Sequence, residues 1–242
     1  MRTDAIEVTL SQNEIRQLCE QYHFPEKDNV KLEAAYQMMR PLLKVRAYSL
    51  AENALGTLAA ADYVPVLVTI GEGVDALQEV YLKRGAMSEA YRIECLSLAV
   101  LLKSYEEVAK QLQPVFGKKV SRLHFLGDDE YPFSLLHGIY TKIRQEGGQV
   151  EITYNEEYAM TPQKSVALIL ELAPLQESGQ GAEEALLNKQ QQKEKADALC
   201  HVHFSHICES CPNVTCEYRK VKKANYTYGY QRIFGKGGDA PC

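Results

Sequence analysis

Cys200, Cys208, Cys211 and Cys216 are spaced Cys-x7-Cys-x2-Cys-x4-Cys near the C-terminus. A Cys-x2-Cys pair sets two sulfurs on one short turn, and thiolates from the flanking segments close a tetrahedral set around an iron-sulfur cluster or zinc. Residues 200–242 are therefore predicted to organise around a metal, as a small module apart from the rest of the chain. Four thiolates suit an iron-sulfur cluster and structural zinc alike, and His201, His203 and His206 keep a mixed zinc site open. Disulfides or free thiols are the metal-free alternative.

The N-terminal MRTDAIEVTLSQNEIRQL is broken by acids where a secretory leader needs an apolar stretch, and no run reaches membrane-spanning length. The expectation is a cytoplasmic protein with no membrane partner, in which clustered thiols serve a metal better than disulfides. Cys19 and Cys95 lie in helical patterns and are expected as buried small hydrophobes, with Cys242 a terminal bystander. A net charge of −5 makes nucleic acid an unlikely partner of the whole molecule, although Arg219, Lys220, Lys222, Lys223, Arg232 and Lys236 form a local basic stretch.

Hydrophobic content of 45% in 242 residues is enough for one sizeable core or two modest ones. Ser11 and Glu14 make a capping box for a helix over 11–22, a second helix covers 30–39, and Pro41 breaks it. Val64–Ile70 is a continuous apolar run ending at Gly71, the pattern of a strand buried on both faces. Apolar positions at helical spacing predict a long helix over 88–112, with Pro114 just beyond its end. Strands are predicted over 120–126, 149–154 and 166–173, and a helix over 133–144 closed by Gly147-Gly148. The fold class is α+β: a helical N-terminal region, a mixed or antiparallel sheet packed with helices, and the small C-terminal cysteine module. The predicted division is an α+β domain at 1–174, a polar linker or solvated helix at 175–199, and the metal-binding module at 200–242.

The sequence Val68-Thr-Ile-Gly-Glu-Gly-Val-Asp75, the following helix GAMSEAYRIECLSLAVLLKSYEE, and Glu157-Tyr-Ala-Met-Thr-Pro-Gln-Lys-Ser-Val166 come in that order along the chain. Together with Cys216-Glu217-Tyr218-Arg219 they resemble the activation (reactivation) domain of cobalamin-dependent methionine synthase, particularly its stand-alone bacterial relatives, over roughly residues 60–220. The resemblance implies binding of S-adenosylmethionine and assistance in returning oxidised cob(II)alamin to its methylated form, with the corrinoid held by a partner protein or domain. It also implies a cofactor turn built on Arg122, Gly127 and Tyr131. The family pattern R-x-x-P-G-Y is altered here: the Arg-to-Gly spacing is one residue longer, and Asp128 follows the glycine. An arginine suits a carboxylate, glycine lets backbone approach a ligand, and an aromatic ring suits a sulfonium. Asp128, Asp129 and Glu130 read equally as a charged turn. Met160, Pro162, Lys164 and Ser165 are read either as pocket residues or as the turn into the next strand.

The functional expectation is an accessory protein for corrinoid-dependent methyl transfer, with Cys200, Cys208, Cys211 and Cys216 holding an iron-sulfur cluster that exchanges electrons with a redox partner. Whether the chain catalyses a reaction alone stays open. The alternative is a zinc-stabilised binding module contacting nucleic acid or an acidic protein through the basic, tyrosine-rich tail. A thiol enzyme using Cys208 and Cys211 is the third reading.

Overall fold

The computed structural model describes residues 1–174 apart from 57, 59, 61, 128 and 129. The predicted linker and cysteine module, including Cys200, Cys208, Cys211, Cys216 and Cys242, lie outside the described residues.

The described chain runs β1 (Arg2–Ala5), α1 (Gln12–Gln21), α2 (Asn29–Met39), β2 (Arg46–Ser49), β3 (Tyr63–Thr69), α3 (Glu72–Lys83), α4 (Met87–Phe116), β4 (Lys118–Phe125), α5 (Leu135–Gln145), β5 (Thr153–Tyr154), β6 (Met160–Thr161) and β7 (Ser165–Pro174). Five strands form one sheet in the order β1-β2-β3-β7-β4, and β5 pairs with β6 in a separate hairpin. Every pairing is antiparallel, so the predicted α+β class holds and the choice between a mixed and an antiparallel sheet is settled for the latter.

Side-chain alternation on the two central strands divides the interior. Val64, Val66 and Val68 of β3 and Leu168, Leu170 and Leu172 of β7 enter one core with residues of α1, α2, α3 and α4. Tyr63 and Leu67 of β3 and Ala167 and Ile169 of β7 enter a second core with Leu136, Ile139 and Ile143 of α5. The result is a helical layer, a sheet, and a thinner layer of α5, loops and the β5–β6 hairpin. On β4 the register shifts between Val120 and Arg122. This bulge is why Val120, Leu123 and Phe125 all reach the first core despite mixed parity. Arg122 and His124 alternate with Leu123 and Phe125, which turns them to the second face.

Pro65 stands in a central strand, where a missing N–H normally breaks a ladder. Its carbonyl accepts from Leu50 N (3.0 Å), just past the end of β2 at Ser49. Since a strand residue points its N–H and C=O to the same side, the missing donor falls where the β2 ladder has ended, and pairing with β7 is untouched.

The helical layer follows the sequence closely. Ser11 caps α1 and Glu14 returns the bond to the Ser11 amide, as the capping box predicts. Glu14 also accepts from Lys103 on α4 (2.5 Å), tying the first helix to the longest. Ile93, Leu96, Val100 and Val108 of α4 are essentially inaccessible, each contributing roughly 1.5–3 kcal/mol by burial. Cys19 and Cys95 are free and buried as expected, and burial pushes the Cys95 thiol up to about 11.

Two expectations are corrected. Pro114 lies inside α4, because loss of one bond in the last turn is tolerated and the helix ends instead at Gly117, left-handed at φ 61°. The strand predicted over 149–154 shrinks to Thr153–Tyr154. The sequence reading also passed over β1, β2 and α3. Helix α3 carries Gly73 in its first turn, where a Cβ would come within 2.8 Å of the Leu42 carbonyl oxygen. Close backbone packing thus requires a residue that reads as a helix breaker. Among the described residues, no helix is long and apolar enough to cross a membrane.

Candidate functional site

The second face carries an array of rings built from three elements. Phe133, before α5, stacks near-parallel with Tyr158 of the β5–β6 turn, centroids 6.3 Å apart and planes 14° from parallel. Tyr158 stacks in turn with Tyr154 of β5 at 6.3 Å and 11°. Tyr140 of α5 closes the row edge-on to Tyr154 at 5.3 Å, with the Arg144 guanidinium 5.7 Å from its centroid.

Local backbone chemistry fixes this ledge. Asn155 Oδ1 accepts from the amides of Glu157 (3.1 Å) and Ala159 (2.8 Å). Asn155 O also accepts from Tyr158 N (3.0 Å), so an Asx turn holds Tyr158 at φ 63°. A left-handed tyrosine costs on the order of 1–3 kcal/mol, and here it places a ring between Phe133 and Tyr154. His137 Nδ1 lies 2.8 Å from the Tyr154 hydroxyl, orienting that ring from α5. Burial, with smaller contributions from Tyr140 and Tyr158, raises the Tyr154 pKa, so it stays a neutral phenol at neutral pH.

The predicted cofactor-turn residues border this ledge. Gly127 N donates to Tyr131 O (2.8 Å), closing the turn between β4 and α5. Gly127 has φ 127°, and a Cβ there would meet Phe133 Cζ at 2.7 Å. Glycine is thus what allows Phe133 to lie over the turn. Tyr131 is 1% exposed and faces inward, its ring 4.6 Å from that of His124, which bonds to Glu171 Oε2 (3.2 Å). Arg122 is exposed on β4 opposite Glu171. Gly127 and Tyr131 are therefore brought together directly, with Arg122 on the adjoining strand. Asp128 and Asp129 lie outside the described residues.

The 160–165 segment divides its side chains. Met160 packs against the second core beside the ledge, whereas Lys164 turns to the helical layer and pairs with Glu94 (2.7 Å). Ser165 Oγ donates to Thr69 Oγ1 (2.9 Å), and Asp75 of α3 accepts from Gln163 N (2.5 Å). The Thr161-Pro162 peptide is cis. Lys164 and Ser165 thus anchor the strand entry and leave the ring ledge to Tyr158. Sequence reasoning named Tyr158 and read His137 as an ordinary hydrogen-bonded histidine, but gave Phe133 and Tyr154 no part in a site. The Asn155 to Ala159 turn, which brings rings from two segments together, was the available signal.

Among the described residues no His, Cys, Asp and Glu side chains cluster as a metal site. The four cysteine candidates lie outside them.

No family model matches the chain, and no curated protein matches it. The fold is similar to a solved structure described as the crystal structure of the MetH reactivation domain bound to AdoHcy, with a TM-score of 0.50 at 11% identity. The likeness covers 74% of this chain and 81% of that one, and it shows a shared fold.

Proposed function

We propose that this chain is an accessory protein for corrinoid-dependent methyl transfer, and that its ring ledge binds an S-adenosyl ligand. The observation that carries the reading is the Phe133–Tyr158–Tyr154 stack, held by a left-handed tyrosine beside the Gly127 turn. It is supported by the fold likeness to a domain described with AdoHcy bound. A planar base and a sulfonium both favour aromatic faces, and the Gly127 turn lets the half-exposed Phe133 ring lie where it can offer one.

In this reading Phe133 and Tyr158 hold the ligand's flat or cationic portion, and Arg122, exposed on the neighbouring strand, takes its carboxylate. His137 fixes the Tyr154 ring and buried Tyr131 supports the turn from beneath. S-adenosylmethionine supplies a transferable methyl group. The protein's part is to orient it and to present the ring ledge to a corrinoid-binding partner protein. Cys200, Cys208, Cys211 and Cys216 would hold an iron-sulfur cluster exchanging electrons with that partner or with a separate redox protein.

The test is calorimetric titration of the full chain with S-adenosylhomocysteine and S-adenosylmethionine. Binding that falls at least tenfold in Tyr158→Ala, with the fold intact, is expected. Absence of binding at millimolar ligand would remove the cofactor assignment. Metal and sulfide analysis of anaerobically purified protein tests the cysteine assignment separately: iron with acid-labile sulfide upholds it, while stoichiometric zinc moves the tail to a structural binding role.

A further inference from the structure

The helical layer, across the sheet from the ring ledge, contains a half-open cleft of about 150 Å³ lined by Lys31, Ala34, Ala35, Met38, Tyr81, Glu89 and Arg92. Its two ends differ in chemistry. Ala34, Ala35, Met38 and Tyr81 form an apolar trough from α2 and α3, with the Tyr81 hydroxyl 3.5 Å from the Met38 sulfur. Lys31 from the first turn of α2, and Glu89 and Arg92 from the first two turns of α4, supply charge.

Arg92 is the unusual member. It is only 6% exposed; its Nη2 donates to Asp28 Oδ2 (3.0 Å), its Nη1 reaches Glu89 Oε1 at 3.5 Å, and its Nε has no hydrogen-bond partner. A buried guanidinium hydrogen without an acceptor is costly, and such groups are rarely left so. Among the described residues, four buried side-chain polar atoms lack hydrogen bonds, and three belong to Asp28, Asn29 and Arg92. Lys31 Nζ sits 2.9 Å from Asp28 Oδ1 and, with Arg92, holds the Asp28 carboxyl below its ordinary range, so the unmet groups at this end are Asn29 Oδ1 and Arg92 Nε.

Size and charge select the ligand. Drug-sized ligand pockets span roughly 300–1,000 Å³, so 150 Å³ is too small for a nucleoside and suits a metabolite of about ten heavy atoms. Two cations, Lys31 and Arg92, face two carboxylates, Asp28 and Glu89, so a simple anion would find its counter-charges already engaged. A zwitterion brings one charge of each sign and disturbs that balance least. We infer that this cleft binds a free α-amino acid with an unbranched apolar side chain, its carboxylate toward Arg92 and Lys31, its ammonium toward Glu89, and its side chain along Ala34, Met38 and Tyr81. The inference is independent of the ligand proposed for the ring ledge, which lies on the other face of the sheet.

The probe is L-norleucine, added to the full-length protein and followed by the Met38 methyl and Tyr81 ring resonances. Saturable shifts at those two residues are expected, with hexanoate and pentylamine, which lack the ammonium and the carboxylate respectively, weaker by about tenfold or more, the size of one lost charge-assisted hydrogen bond. Arg92 is part of a buried ion pair, so its removal risks the fold. Ala34→Leu instead fills the trough from an exposed helical position and is expected to abolish the shifts without lowering the melting temperature. Equal binding of hexanoate, retention of binding in Ala34→Leu, or no shift at Met38 and Tyr81 would each overturn the assignment.

Discussion

The two faces of the sheet are built on different terms. The helical face buries Val64, Val66, Val68, Leu168 and Leu170 against four helices, among them the 30-residue α4, whose apolar residues recur regularly. The opposite face has a single helix, α5, and much of its packing comes from Tyr48, Tyr63, Tyr131 and loop residues. Regular burial leaves little room for change, because every position is filled by a neighbour at fixed spacing. The irregular face carries instead a left-handed tyrosine, a glycine that a Cβ would drive into a ring, and a 53% exposed phenylalanine. These features hold backbone and rings in place at a cost in stability, the pattern expected where a surface serves a ligand.

The largest expected effect sharpens that contrast from the regular side. Leu96→Ala, in the middle of α4 with no solvent exposure, should cost about 2–5 kcal/mol in chemical denaturation through transfer loss and cavity. It should leave S-adenosylhomocysteine affinity unaltered wherever the protein remains folded. A loss below 1 kcal/mol would mean that the helical layer is loosely packed, and the contrast between faces would fail.

Gly127→Ala should cost about 1–3 kcal/mol, since alanine is strained at φ 127° and its Cβ strikes Phe133. The clash part must be coupled to Phe133. A double-mutant cycle with Phe133→Ala should recover some of the loss, leaving the dihedral penalty. Strict additivity would show that Phe133 does not lie over the turn in solution.

Tyr158→Gly inverts the usual relation between ring loss and stability. Glycine relieves the left-handed strain, and the lost stacking, about 0.5–1.5 kcal/mol, is of similar size and opposite sign. Net stability should change by less than about 1 kcal/mol, while S-adenosylhomocysteine affinity falls at least tenfold. Unchanged affinity would detach the ledge from the proposed ligand.

The same contrast explains what was legible in the sequence. The capping box at Ser11 and Glu14, the apolar run at Val64–Ile70 and the periodicity of α4 each express a local rule, and each was realised. Strands β1 and β2 are each four residues long, too short for alternation to stand out. Helix α3 was hidden because Gly73 is demanded by contact with Leu42, a tertiary reason no local rule contains. The ledge was half visible: the Glu157–Val166 resemblance singled out Tyr158, but its stacking on Phe133 depends on two segments meeting across the face.

Asp75 joins the two faces, and its titration gives the smallest expected effect. From α3 its Oδ2 accepts the Gln163 amide in the segment leaving the ledge hairpin, while its Oδ1 is buried without a partner. Burial raises its pKa above the ordinary 3.8, against smaller lowering by the Gln163 bond and Lys164. A carboxyl that holds its proton more tightly when folded stabilises the fold fully below 3.8, and that contribution disappears as pH rises through the raised folded value. Glu14 works in the opposite sense: Lys103 and the Ser11 contacts outweigh its burial and lower its pKa, so its contribution is present above 4.5 and lost on acidification. Asp75→Asn keeps an oxygen for the Gln163 amide and removes only the first of these slopes. Relative to the parent it should therefore gain stability from acid to neutral pH, by about 1 kcal/mol or less. Urea denaturation at matched pH values checks this. Parallel curves for the two proteins would mean that Asp75 is solvated, and that the joint between helical layer and hairpin is looser than its 2.5 Å contact with Gln163 implies.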